Sequence, residues 1–194
     1  MLMIHYRITM KPLTLLPLIT IAIFLTSCDA VLTTNHITDA TTDLLQDELT
    51  GAWQAEDGVI QIEFDEGGTG HFAFLEWKED QFEISQSRFQ ALQVKGITIL
   101  TVESPDDDDD DGFALAAVRQ AENNEMHAFA PQVNIFAKLV ETDQMEGKVE
   151  KEKYTTTVII EDAGKVVSDI PLEKLFNFEN KMVLKRIIPL ESED

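Results

Sequence analysis

The sequence has a single cysteine, Cys28, in 194 residues. A lone cysteine cannot form a disulfide within the chain, so the fold must be held together by its core. A chain of this length can bury roughly 70% of its unfolded surface, which is enough for a stable core without cross-links. We therefore expect one domain rather than a small cross-linked scaffold.

Basic residues are also scarce. The chain has 15 Lys and Arg residues against 36 Asp and Glu residues, and its formal net charge is −21. Phosphate binding requires clusters of Lys and Arg, and the sequence contains none, so nucleic acid is excluded as a partner. The same acidity opposes a polypeptide that lies flat on anionic lipid. Solubility in a crowded compartment is the simplest explanation of the charge.

The sequence signatures of common enzyme classes are missing. There is no Gly-x-Ser-x-Gly, phosphate loop or Rossmann fingerprint. His71 and His127 could meet across a sheet, but no spacing of the His-Glu-x-x-His kind supports a metal site. The run Asp106 to Asp111 offers calcium ligands, yet a block of like charges favours a solvated loop. The sequence predicts no enzyme, no metal and no cofactor.

Long apolar runs are confined to the amino-terminal end. Lys11 is followed by Pro12 and by an apolar run from Leu13 to Leu25, which Pro17 interrupts. A positive start, a short apolar stretch and small residues at its end are typical of a secretory signal. We predict a signal over residues 1–27 that starts at Met1 or Met10. Its removal leaves a chain with a formal net charge of −23, because it takes away Arg7 and Lys11 and no acid.

The signal ends on Leu25-Thr26-Ser27-Cys28, which resembles the lipobox of bacterial lipoproteins. The resemblance implies that Cys28 carries lipid, becomes the amino terminus and holds the protein to a membrane of the cell envelope. Asp29 resembles the enterobacterial signal for retention at the periplasmic face of the inner membrane. Without an outer membrane, the outer surface of the plasma membrane is expected instead. The alternative is a plain secretory signal, which leaves a lone thiol without a partner in the chain.

Beyond the cysteine, the composition changes twice. Residues 28–44 are polar and threonine-rich, and we predict a lipidated tether there. A single domain is predicted over residues 45–190, and residues 191–194 form an acidic tail. Within the domain, Ile60, Ile62 and Phe64 alternate with polar residues before the turn at residues 65–68, which is a strong hairpin signal.

The rest of the pattern predicts a mainly β fold with minor α structure. Short strands continue to Ala130 as an antiparallel meander, which indicates a barrel or a strongly curved sheet. Two short helices are expected near the carboxyl-terminal part, one from Pro131 and one from Ser168 through Phe176. A β-branched strand, Tyr154 to Ile160, lies between them, and Met182 to Ile188 form the last strand.

The segment Leu49-Thr50-Gly51-Ala52-Trp53 lies at the end of a short helix predicted over about Asp43 to Leu49, and it opens the meander. It resembles the Gly-x-Trp opening of lipocalins and lipocalin-like barrels, and the resemblance covers residues 45–130. It implies that Trp53 plugs the closed end of a barrel and that Arg186, from the last strand, packs across the indole. It also implies a cup for a small apolar or amphipathic ligand. The helices at 131–141 and before the final strand depart from the family pattern.

Four aromatic residues of the 58–77 hairpin are candidates to line such a cup: Phe64, Phe72, Phe74 and Trp77. Core packing explains the same residues equally well, because aromatic side chains dominate burial in most domains. We therefore carry two functional expectations forward. One is a membrane-anchored envelope lipoprotein that binds a small apolar or amphipathic molecule. The other is a structural or protein-interaction module of the envelope without a ligand pocket.

Overall fold

The computed structural model describes residues 29–37, 42–78, 80–103 and 112–187. The described strands are β1 (Asp29–Thr33), β2 (Gly51–Gln54), β3 (Gly58–Phe64), β4 (Gly70–Lys78), β5 (Gln81–Val94), β6 (Ile97–Glu103), β7 (Phe113–Gln120), β8 (Glu125–Pro131), β9 (Gly147–Lys151), β10 (Thr156–Ile160) and β11 (Phe176–Arg186). The described helices are α1 (Asp43–Leu49), α2 (Val133–Glu141), α3 (Ala163–Asp169) and α4 (Leu172–Leu175).

Eight of the described strands close into an antiparallel barrel. Their order is β6-β5-β4-β3-β2-β11-β8-β7, and pairing between β6 and β7 completes the ring. Strands β2 to β8 follow one another as a meander, and β11 enters between β2 and β8. The predictions of a mainly β fold and a lipocalin-like barrel are confirmed.

The first long hairpin of the barrel follows from alternation and from its turn. Ile60 and Ile62 pair with Phe74 and Phe72, so the apolar residues of β3 and β4 share one face of the sheet. Beside the turn, a Cβ atom on Gly70 would lie 2.2 Å from the ring of Phe89. Glycine at position 70 therefore lets β4 pass close to the ring of the next strand.

A second layer covers the outside of the barrel. Strand β1 runs parallel to β10, which pairs with β9, and β1 also pairs with the start of β7. Helices α2, α3 and α4 pack on this extension. Their buried residues, including Phe136, Val167 and Leu175, join Ile99 and Phe129 of the barrel in one apolar cluster. A different cluster fills the barrel around Trp53.

The sequence missed parts of this layer. Strand β9 was not expected. The predicted second helix, from Ser168 through Phe176, starts within the last turn of α3, is interrupted at Ile170 and Pro171, and continues as α4; Phe176 is the first residue of β11. The first helix begins at Val133 rather than at Pro131, because Pro131 is the last residue of β8. The β-branched strand starts at Thr156, two residues later than expected.

The predicted tether, residues 28–44, is wrong for residues 29–33. These residues form β1, in which Val31 and Thr33 are buried, and the Asp29 carboxylate accepts a 2.8 Å hydrogen bond from Thr156 N. The domain therefore begins at Asp29 rather than at residue 45. A short strand whose partner lies more than 120 residues away has no local signal that separates it from a linker. The predicted signal at 1–27 and the tail at 191–194 lie outside the described residues.

Candidate functional site

One end of the barrel is closed by Trp53 and Arg186. Trp53 is fully buried, and the guanidinium carbon of Arg186 lies 4.6 Å from the centroid of its ring. The two residues are also partners in the short ladder between β2 and β11. Because side chains at paired positions lie on the same face of a sheet, both point into the barrel. A guanidinium over an indole is attractive by about 0.5–2 kcal/mol.

Helix α1 covers this closed end. Its residues Leu45 and Leu49 are buried in the same cluster as Trp53. The indole Nε1 donates a 2.8 Å hydrogen bond to the Leu49 carbonyl. The Glu48 carbonyl accepts from Arg186 Nη2 and from the side-chain amide of Gln120 at 2.7 Å. These bonds satisfy carbonyls at the end of the helix that have no partner within it.

The aromatic residues predicted to line a cup take other positions. Phe64 and Phe72 pack against Phe89 in the barrel cluster, with ring centroids 5.4 Å and 6.4 Å away. Phe74 is buried. Trp77 is 56% exposed, because it occupies the opposite face of β4 from Phe72 and Phe74. None of the four predicted residues lines the cavity that lies between β1, β2, β7, β8 and β11.

A cavity of about 970 Å³ lies where strands β1, β2, β7, β8 and β11 and the start of α2 meet. Its volume is at the upper end of the usual range for small-molecule sites. Its apolar lining consists of Ala30, Val31, Ala55, Ala114, Leu115, Ala130, Pro131, Val133, Met182 and Val183. Its polar lining consists of Asp29, Gln54, Glu56, Asn134, Asn177, Asn180, Lys181 and Lys185.

Two irregularities of β11 accompany this cavity. Among the described residues, the registered β2–β11 ladder has two pairs, so β2 leaves β11 soon after the closed end. The register between β11 and β8 also shifts between Phe176 and Lys181. Within that interval, the Asn177 side-chain oxygen accepts hydrogen bonds from the amides of Glu179 and Asn180. The cavity therefore lies beside the part of β11 that does not pair with β2.

Sequence reasoning missed this cavity because small side chains form much of it. Strand β7 reads Phe-Ala-Leu-Ala-Ala-Val, and β8 ends on Ala-Phe-Ala-Pro. Alanines at alternate positions of two neighbouring strands leave room on one face of a sheet. These alanines are visible in the sequence, but the aromatic residues of the 58–77 hairpin are the stronger signal for a ligand cup.

A partly buried polar cluster around His36 was also missed. His36 Nδ1 lies 3.0 Å from the Thr101 hydroxyl, and Nε2 lies 3.6 Å from the Glu103 carboxylate. Glu103 accepts a 2.8 Å hydrogen bond from Arg88. Burial lowers the pKa of His36, although Glu103 opposes this effect. Because Thr101 is fully buried, its hydroxyl is inaccessible to a substrate, and we interpret the cluster as structural.

The two histidines considered in the sequence do not form a shared site. His71, on β4, has its Nε2 3.6 Å from the carboxylate of Asp65 in the turn between β3 and β4. His127, on β8, has its Nε2 3.2 Å from Lys181 Nζ and 3.5 Å from the Glu125 carboxylate. In the part of the chain that the structure describes, no group of three His, Cys, Asp or Glu residues could hold a metal ion. Asp106 to Asp111 and Cys28 lie outside the described residues.

Within the described ranges, no helix is long and apolar enough to cross a membrane. Comparison of the chain with models of protein families, with curated proteins and with solved structures finds no match.

Proposed function

We propose that the protein is a lipid-anchored protein of the bacterial cell envelope that binds a small amphipathic molecule. The observation that carries the proposal is the cavity of about 970 Å³, which has one apolar and one polar set of lining residues. Small-molecule sites commonly combine apolar walls with a few polar groups that orient the ligand.

The lining residues indicate how a ligand would be oriented in the cavity. Ala55, Ala114 and Ala130 offer space for a hydrocarbon portion. Two acidic residues, Asp29 and Glu56, and two basic residues, Lys181 and Lys185, give the polar lining charges of both signs. A ligand with an apolar body and a polar head that forms hydrogen bonds matches both features.

The lipid anchor is the second part of the proposal. It rests on Leu25-Thr26-Ser27-Cys28 and on the absence of any second cysteine in the chain. The anchor would hold the protein at the periplasmic face of the inner membrane, or at the outer surface of the plasma membrane where no outer membrane exists. Asp29, the residue considered as a sorting signal, also has a structural contact, its bond to Thr156 N.

Metabolic labelling tests the anchor. The full chain and its Cys28→Ser variant are expressed in a bacterial host with a clickable palmitate analogue. We expect the label and sedimentation with membranes for the full chain, and loss of the label for Cys28→Ser. Labelling that survives in Cys28→Ser, or no labelling of either chain, would refute a lipid on Cys28.

Native mass spectrometry tests the ligand. The processed protein is purified from membranes in mild detergent, and its mass is compared with the mass after denaturation. We expect an extra mass that denaturation removes. Ala130→Phe places a large side chain at the cavity and should abolish the extra mass. Ala73→Phe, at a position of β4 outside the cavity, is the matched control and should retain it.

Thermal melts establish that both variants fold. An extra mass that persists in folded Ala130→Phe would place the ligand elsewhere on the chain. A processed wild-type protein without any bound mass would contradict the binding proposal and favour the interaction module.

A further inference from the structure

The tip of the β4–β5 hairpin carries a cluster of exposed apolar side chains, which we call the hairpin tip: Trp77, Phe82 and Ile84. Their exposed fractions are 56%, 65% and 65%. Trp77 and Phe82 are paired in the ladder, and their rings meet edge to face with centroids 4.7 Å apart. Ile84 lies two residues beyond Phe82, on the same face of β5.

The hairpin tip projects beyond its neighbours in the barrel. The last β3–β4 pair joins Gly58 to Glu76, so Trp77 lies past the end of β3. On the other side, the first β5–β6 pair joins Phe89 to Val102. Three of the six large apolar side chains that are exposed among the described residues belong to this tip. Folding of the barrel does not bury them, so the tip is available to an external partner.

The opposite face of the hairpin is polar. Glu76, Lys78 and Glu83 occupy it, and Lys78 Nζ lies 3.4 Å from the Glu83 carboxylate. The hairpin is therefore amphipathic across its two faces. Tryptophan and other aromatic side chains on such an element suit the interface between membrane lipid and water, where one side is apolar and the other is wet.

The hairpin tip lies toward the same end of the barrel as the cavity that Asp29 lines. In an antiparallel meander, successive turns alternate between the two ends. The β3–β4, β5–β6 and β7–β8 turns lie at the end that Trp53 closes, whereas the β2–β3 and β4–β5 turns lie at the other end. The cavity includes Ala55 and Glu56 of the β2–β3 turn, and Asp29 lines the same cavity. Cys28, the residue predicted to carry the lipid, directly precedes Asp29 in the sequence.

We propose that Trp77, Phe82 and Ile84 insert into the interfacial layer of the membrane that carries the Cys28 lipid. Insertion turns the end of the barrel that bears the cavity toward the lipid. The inference rests on the lipid anchor of the proposed function, but not on a ligand in the cavity. Three exposed side chains bind a bilayer weakly alone, but an anchored chain has a high effective concentration at the surface.

The charge of the chain favours a neutral bilayer. The chain without residues 1–27 carries a formal net charge of −23, which anionic headgroups repel. The contact would therefore depend on the apolar side chains rather than on electrostatic attraction.

Tryptophan fluorescence tests the inference directly, because the chain has two tryptophans and Trp53 is fully buried. The processed protein is reconstituted into phosphatidylcholine vesicles whose acyl chains carry bromine close to the headgroup. Bromine quenches tryptophan only at short range. We expect quenching in the wild type and its loss in Trp77→Phe, which keeps an aromatic side chain but removes the exposed reporter.

Two further variants separate insertion from proximity. The double variant Phe82→Ser, Ile84→Ser should still float with the vesicles, because its lipid anchor is intact. The quenching of Trp77 should nevertheless be weaker than in the wild type. Leu44→Ser, at a 68% exposed position of α1 at the closed end, should leave the quenching unchanged.

The outcomes distinguish this inference from the proposed function. Protein that floats with the vesicles without quenching has its anchor but no inserted tip, which overturns the inference alone and favours a protein partner for the tip. Protein that does not float lacks the anchor, which overturns both. Quenching that is equal in the wild type and in Trp77→Phe also overturns the inference.

Discussion

The guanidinium of Arg186 lies over the fully buried indole of Trp53, with 4.6 Å from its carbon to the ring centroid. The two residues come from the last and the first strand of the barrel, and their pairing joins β11 to β2. Both side chains also bond to α1, Trp53 through Leu49 O and Arg186 through Glu48 O. One contact therefore connects the ring of strands and the helix that covers its closed end.

Removal of this contact should destabilise the fold. We expect Arg186→Ala to lower the free energy of unfolding by about 1–3 kcal/mol, because the cation–π contact and a hydrogen bond to Glu48 O are both lost. Urea denaturation measures the difference. Lys153→Ala is the matched control, because Lys153 lies over the exposed ring of Tyr154 and should contribute less than about 0.5 kcal/mol. Equal effects of the two substitutions would contradict the role assigned to Arg186.

Strand β1 should contribute to stability like any other part of the core. Val31 is 2% exposed, and Val31→Ala should cost about 1.5–3 kcal/mol through lost burial and a residual cavity. Leu44→Ala removes a larger side chain from an exposed position and should change the unfolding midpoint little. If residues 29–33 were a free tether, Val31→Ala would have no effect on the urea midpoint.

The stability of the protein should fall as the pH drops below the ordinary pKa of histidine, about 6.5. Burial lowers the pKa of His36 in the folded state. At a pH between this lowered pKa and the ordinary value, the imidazole therefore binds a proton more readily in the unfolded chain than in the folded one. The contribution of neutral His36 to stability is fully present above pH 6.5, and it is lost as the pH falls toward the lowered pKa.

Urea midpoints from pH 7.5 down to pH 5.5 measure this dependence. His36→Gln should have a smaller decrease than the wild type, since it has no proton to bind. His71→Gln, at a half-exposed histidine, serves as control. A decrease in His36→Gln as large as in the wild type would exclude His36 as its source.

The turn between β3 and β4 depends on the Asp65 carboxylate. Its Oδ1 accepts hydrogen bonds from Thr69 N and Gly67 N, both at 2.9 Å, and these bonds lower the pKa of Asp65. We expect Asp65→Ala to lower the melting temperature at pH 7 and Asp65→Asn, which keeps an acceptor, to lower it less.

The charge of Asp65 adds a pH dependence. Because the folded pKa is lowered, the stabilisation is present above about pH 3.8 and is lost as the pH falls through the lowered value. Melts of the wild type and Asp65→Asn from pH 5 to pH 2.5 should therefore converge. Glu66→Ala, at an exposed residue of the same turn, is the control. Curves that remain parallel over that range would refute a charge-dependent contribution.

Much of the barrel could be predicted from local pattern. Alternation at Ile60, Ile62 and Phe64 and the turn that follows them specify a hairpin, because both signals act over a few residues. Helix α1 was predicted with its observed bounds, since the Thr42 hydroxyl accepts from Leu45 N and an apolar stripe follows that cap. The signal sequence and the lipid on Cys28 remain predictions.

The candidate site was less accessible to sequence reasoning. Phe64 and Phe72 were reasonable candidates for a cup, but both pack on Phe89, so the same aromatic residues fill the barrel. The cavity instead adjoins Ala114 and Ala130, whose contribution is the space they leave. Small residues carry no signal of their own, because their effect depends on what lies opposite.

The sequence by itself determined the β meander, the turn at residues 65–68 and the strong negative charge, because periodicity, turn chemistry and ionisation are local properties. The tertiary structure decided that Asp29–Thr33 form a strand, that β11 enters between β2 and β8, and that a cavity opens beside it. Each of these depends on pairing between segments far apart in the chain. Such pairing is selected by the burial of complementary surfaces in the folded protein, and no short stretch of sequence encodes it.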